Sequence, residues 1–170
     1  MKTKIWILFG VVALVALGAG AWLGTVGRES RDSGPLLALS LPDGAGNPQA
    51  LSQWQGKVVV INFWATWCTP CREEMPELVR IQQEFGARGL QVVGIAVDNP
   101  EKVSQFAKEI GLNYPSLIGG YSAVDVSKRL GNQLSALPFT IVLDRQGGVA
   151  QTNLGPIKPQ QLRSKVSSLL

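Results

Sequence analysis

Val58-Val59-Val60-Ile61-Asn62-Phe63-Trp64 runs through Ala65-Thr66 into Trp67-Cys68-Thr69-Pro70-Cys71 and leaves through Arg72-Glu73-Glu74. The first seven residues are apolar apart from Asn62, as in a strand covered on both faces. The charged segment after Cys71 favours a helix, so the strand ends at Trp64 and a helix starts at about Cys68. A cysteine at that point meets unpaired backbone N–H groups and the positive end of the macrodipole, which favour a thiolate over a thiol. Cys71 lies nearly one turn on, on the same side of the helix and within reach of a disulfide. Such a pair can attack another protein's disulfide and then release that protein by closing on itself.

Other uses of the pair fit less well. Its two-residue spacer constrains the unfolded chain little, which argues against a purely structural disulfide. These are the only two cysteines among 170 residues and there is no histidine, too few ligands for a zinc site. Covalent haem attachment needs histidine after the second cysteine, where Arg72 stands. A cysteine-and-histidine copper carrier fails for the same reason. The sequence predicts no metal and no cofactor beyond the redox-active cysteine pair.

Hydrophobic residues make up 45% of the chain and charged residues 16%, and the N-terminus accounts for much of that bias. Ile5 to Val26 is a run of 22 uncharged residues, enough at about 1.5 Å per residue to cross a bilayer core of about 30 Å. Lys2 and Lys4 precede it, so the positive-inside rule leaves residues 1–4 in the cytoplasm and the remainder outside. Ala19-Gly20-Ala21 has the small residues of a signal-peptide cleavage site, but the run exceeds a typical signal core, and a retained transmembrane anchor over 5–26 is the expectation. Gly20 and Gly24 also match a weak helix-pairing pattern. Residues 27–35 read as a polar linker. Without Lys2 and Lys4 the formal charge falls from +4 to +2, and nothing indicates a nucleic-acid partner. An extracytoplasmic compartment is oxidising, so the pair closes unless something reduces it.

From Leu36 the chain reads as one α/β domain to Leu170. Leu36 to Leu39 and Gln49 to Leu51 flank the turn formers Pro42 to Pro48, which predicts an N-terminal hairpin or two short extended pieces. The helix from Cys68 runs to about Arg88, bent but not ended at Pro76. Leu90 to Val97 is a second buried strand, and a helix spans about Glu101 to Ile110. Leu112 to Ile118 is extended, and Val124 to Leu130 is a short helix. Leu137 to Leu143 and Val149 to Leu154 form an antiparallel hairpin, and Pro159 opens a last helix. The order predicts a mixed sheet with helices on both faces.

In this order the motifs resemble the thioredoxin superfamily, and more closely its membrane-anchored TlpA/ResA-like branch, over residues 36–170. Asn62 to Cys71 is similar to the family's active-site strand and turn, Pro76 to its helix-kinking proline, and Leu137-Pro138 to its cis-proline loop. Residues 98–131 resemble the branch's central insertion. The resemblance implies that Cys68 is the exposed nucleophile and Cys71 the shielded resolving thiol. Trp64, Trp67, Thr69, Pro70, Leu137 and Pro138 would meet the substrate, with the two tryptophans walling the site and the Leu137 backbone pairing with an extended segment. Where thioredoxin carries a buried aspartate, Asn62 stands, and an amide cannot take a proton from the resolving thiol. In the branch a glutamate three residues after the second cysteine lies near the site, which makes Glu74 the candidate proton relay or pKa modulator. The alternative for Glu74 is an exposed first-turn acid beside the helix dipole, as Glu73 also is.

The resemblance further implies a protein thiol–disulfide oxidoreductase on the outer face of a bacterial inner membrane. It would act as a reductant on partner proteins such as apo-cytochrome c or copper-site proteins, and a membrane electron carrier would re-reduce it. The Thr69-Pro70 dipeptide lacks the histidine of strongly oxidising relatives, which favours reduction. A peroxide-reducing peroxiredoxin relative is disfavoured, because Ile61 and Ala65 stand where that family places proline and threonine. A polypeptide-binding, chaperone-like module that uses the Pro138 groove is the alternative of a different class.

Overall fold

The computed structural model describes residues 33–170. Five strands form one mixed sheet in the order β5-β4-β3-β6-β7. β3 (Val58–Trp64), β4 (Leu90–Ala96) and β5 (Ser116–Ile118) run parallel, while β6 (Phe139–Leu143) and β7 (Val149–Leu154) are antiparallel to their neighbours. β3 is central, and all seven of its residues are buried. Alternation along β3 sends its side chains into two cores. Val58, Val60 and Trp64 meet Met75, Leu78, Ile81 and Phe85 of the helix α2 (Thr69–Phe85), together with Val103 and Phe106 of α3 (Pro100–Glu109) and Leu162 and Val166 of α5 (Pro159–Leu169). Val59, Ile61 and Phe63 face Leu36 of α1 (Gly34–Leu37), Leu41 and Ala123 of α4 (Gly120–Arg129). Helices thus cover both faces of the sheet.

A short antiparallel hairpin, β1 (Ser40–Pro42) and β2 (Pro48–Ala50), precedes the sheet. The extended start expected at Leu36 is instead a helical turn. It begins at Gly34, inside the segment assigned to the linker, and the Ser33 hydroxyl donates to the Gly147 carbonyl. Leu36 is fully buried, so a helical turn places one apolar side chain where an extended piece would split its leucines between two sides. α2 ends at Phe85 and continues to Arg88 only as a 3-10 turn. Pro76 lies inside α2 without ending it. Between residues 98 and 131 the chain supplies α3, the edge strand β5 and α4, which starts earlier than expected, at Gly120. Of the extended piece expected from Leu112, only Ser116–Ile118 pairs as a strand. Among the described residues no helix is long and apolar enough to cross a membrane. The expected anchor over 5–26 and most of the linker lie outside the described residues.

Candidate active site

Cys68 is the N-cap of α2, with extended backbone, and its Sγ accepts the Cys71 N–H at 3.3 Å. Thr69 and Pro70 form the first turn, where a proline leaves no extra donor unpaired. Cys68 and Cys71 are joined as a disulfide. Cys71 is completely buried and Cys68 keeps 6% of its surface. Cys68, expected to be the exposed nucleophile, is therefore in this oxidised pair the more accessible of two largely covered cysteines. The approach to Cys68 is held in shape from the next strand. Asp98, just beyond β4, accepts the Thr66 N–H at 2.9 Å and also the Thr66 hydroxyl. Burial pushes the Asp98 carboxyl up, but these Thr66 bonds, the Asn99 N–H and nearby Lys102 hold it below the ordinary range.

The two tryptophans part company. Trp67 is 68% exposed beside Cys68 and free to meet a partner. Trp64 is fully buried, so it cannot wall a substrate groove. Its ring packs 5.6 Å from that of Phe106, and its Nε1–H donates to Ser116 Oγ at 3.3 Å. Gly94 makes that contact possible, because a Cβ there would lie 3.0 Å from the indole nitrogen. Over the outer side of Phe106 sits the Arg72 guanidinium, 4.9 Å from the ring centre.

The Leu137–Pro138 peptide is cis. Phe139, the next residue, is in register with Phe63, which brings Pro138 to the end of the sheet where β3 delivers the cysteines. The loop before it is braced by Asn132, a buried side chain that the sequence did not single out. Its Oδ1 accepts the Ala136 N–H at 3.0 Å, and its Nδ2 donates to the Ala136 carbonyl at 3.0 Å and to Ser127 Oγ of α4 at 3.1 Å.

Glu74 is not an exposed first-turn acid. It is 8% exposed on the inner stripe of α2. Its Oε1 accepts from Asn62 Nδ2 at 2.8 Å and its Oε2 from the Ile157 N–H at 3.1 Å. Burial raises its pKa, and these two donors only partly oppose that. Asn62 also donates to Thr140 Oγ1 at 3.1 Å. Glu74, Asn62 and Thr140 thus form a polar knot in an apolar core, one helical turn from Cys71. Thr140 was legible only as a hydroxyl interrupting the apolar run Phe139 to Leu143, just as Asn62 interrupts its own. Among the described residues no group of three or more potential metal ligands converges.

The family model for Redoxin matches residues 29–170. The chain belongs to the Redoxin family. Over 130 residues this Redoxin protein is 31% identical to the thiol-disulfide oxidoreductase ResA of Geobacillus kaustophilus, covering 76% of this chain and 72% of the relative. It is 29% identical over 161 residues to ResA of Bacillus subtilis, covering 91% and 87%. The crystal structure of a thiol:disulfide interchange protein of the thioredoxin family from Chlorobium tepidum superposes with a TM-score of 0.71 at 28% identity, covering 77% of this chain and 92% of that one. With the Cys68–Cys71 pair in place, these likenesses make this Redoxin a ResA-like thiol–disulfide oxidoreductase of thioredoxin fold.

Proposed function

We propose that this protein reduces disulfides in extracytoplasmic partner proteins, with Cys68 as nucleophile and Cys71 as resolving thiol. The observation that carries this reading is the placement of Cys68 Sγ as the cap of α2, where the Cys71 N–H and the helix dipole favour its thiolate. The Cys68 thiolate attacks one sulfur of the partner's disulfide, and the other leaves as a thiolate and takes a proton from solvent. Cys71 then gives its proton to the Glu74 carboxylate and attacks Cys68 Sγ. The second partner thiolate departs, two electrons have moved to the partner, and the pair stands oxidised. The burial and raised proton affinity of Glu74 suit it to accept that proton. Trp67, Thr69, Pro70 and the backbone of Leu137 beside Pro138 form the surface a partner segment meets.

In the same reading residues 5–26 hold the protein in a bacterial inner membrane, with residues 1–4 cytoplasmic and the catalytic domain outside. A membrane electron carrier restores the dithiol. Apo-cytochrome c and copper-site proteins are the proposed partners, because their cysteines must be reduced before they bind haem or metal. Replacing Cys71 with alanine tests the assignment. Cys71→Ala is expected to accumulate reductant-sensitive mixed disulfides through Cys68, whose partners name the substrates, while Cys68→Ala accumulates none. Equal trapping by both variants, or none by either, would overturn it.

A further inference from the structure

Pairing between β3 and β4 ends at the bond from the Val97 N–H to the Trp64 carbonyl, 2.9 Å. Beyond it the chain passes through Ala65, Thr66 and Trp67 to reach Cys68. Ala65 is fully buried, which fixes the turn where it begins. At its far end the Cys68 N–H donates to the Ala65 carbonyl at 3.2 Å, and Cys68 Sγ caps α2. Between these points packing supplies little, because Trp67 is 68% exposed. Thr66 supplies the hold instead. Its N–H donates to Asp98 Oδ2 at 2.9 Å, and its hydroxyl donates to the same oxygen. The other carboxylate oxygen accepts the Asn99 N–H at 2.7 Å.

Asp98 thus carries the link between the two strands one step further, by a side chain, after backbone pairing has stopped. The carboxylate is not needed to start α3. That helix has its own cap in Asn99, whose side chain accepts the Glu101 N–H at 2.9 Å. Burial pushes the Asp98 carboxyl up, but the Thr66 hydroxyl, the Asn99 and Thr66 N–H groups and Lys102 hold it below the ordinary range. It therefore stays ionised, and able to accept both Thr66 bonds, over the whole range in which a thiol titrates.

We propose that Asp98 is a positioning residue for thiol exchange: through Thr66 it fixes the turn that keeps Cys68 Sγ at the N-terminus of α2, and so sets how readily that thiol ionises. This inference rests on the reading of Cys68 as a nucleophile activated by its place at the helix start. Asp98 works here against the sign of its own charge. A carboxylate near a thiol disfavours the thiolate, whereas a turn that holds the sulfur at the unpaired N–H groups of a helix favours it. Removing the side chain therefore separates the two effects by direction. Loss of charge alone would make Cys68 ionise more readily, and loss of the tie makes it ionise less readily.

The test measures the rate at which iodoacetamide alkylates Cys68 as a function of pH, in the full-length protein in detergent. Every protein compared carries Cys71→Ala, so that a single thiol titrates. Asp98→Ala is expected to move the midpoint of the profile to higher pH and to slow alkylation at neutral pH about tenfold. Thr66→Val removes one hydroxyl donor and no charge, and should move the midpoint the same way by less. Combined with Asp98→Ala it should add nothing, because the tie is already gone. A midpoint that falls or stays in place in folded Asp98→Ala would overturn the inference alone, since the carboxylate would then act by its charge or not at all. Should Asp98→Ala fail to fold, Thr66→Val decides, and an unmoved midpoint there overturns it equally. A parent profile like that of a free cysteine would instead remove the reading of Cys68, and this inference with it.

Discussion

Burial holds the Glu74 carboxyl above the ordinary carboxylate range, while the Ile157 N–H and the Asn62 amide pull it back towards ionisation. The folded protein therefore binds this proton more tightly than the unfolded chain does. Stability from that difference is fully present below the unfolded pKa and is lost as pH rises towards the folded one. Wild type should thus lose stability relative to Glu74→Gln as pH climbs through and above the ordinary carboxylate range, with a slope no steeper than about 1.4 kcal/mol per pH unit. Urea denaturation at a series of pH values measures the difference, and a pH-independent gap would show that the carboxyl is not held up. The sequence offered Glu73 and Glu74 as near equivalents. Helix phase separates them, because positions 71, 74, 75 and 78 share the buried stripe of α2 and position 73 does not. The tryptophans were harder to tell apart. Both flank the motif, but Trp64 ends a strand buried throughout and Trp67 stands in the turn beyond it.

At the scale of elements, the cis-proline loop depends on a side chain outside any recognised motif. Asn132 bonds both the N–H and the carbonyl of Ala136, and it ties them to Ser127 on α4. It thereby does the work of a paired backbone where none is available, next to Ser135 at a φ of 52°. Asn132→Ala leaves both Ala136 groups without the Asn132 side chain, while the Ser127 hydroxyl keeps its bond to the Val124 carbonyl. It should cost about 1–3 kcal/mol of stability and lower kcat/KM for a peptide disulfide more than for a small aromatic disulfide that needs only Cys68. Equal losses on both substrates would show that the loop is not a docking surface. Pro138 could be read from its place before a strand, but Asn132 could not. An asparagine six residues before a proline looks like any other turn residue until α4 packs behind it.

Across the whole molecule, two cores on opposite faces of one sheet assign distinct tasks to the connecting segments. α2 and α3 close over the cysteine pair, while α1, the hairpin and α4 cover the opposite face. Residues 33–170 contain both cores, so a fragment with those bounds should remain soluble and keep its thiol-exchange activity, whereas the full chain should sediment with membranes and need detergent to leave them. A full chain that stays soluble after cell lysis would count against an anchor over residues 5–26. By itself the sequence determined the strand into Cys68, the pair and the helix it caps, the Pro138 turn and the mixed α/β order. Each of these is written in a local period, a spacing or a proline. Only tertiary structure decided that Glu74 is sealed against Asn62, that Trp64 is core and that Asp98 shapes the Cys68 turn. Those contacts join residues 12 to 50 or more positions apart, and no local pattern in a chain records which distant side chain will fill the space beside it.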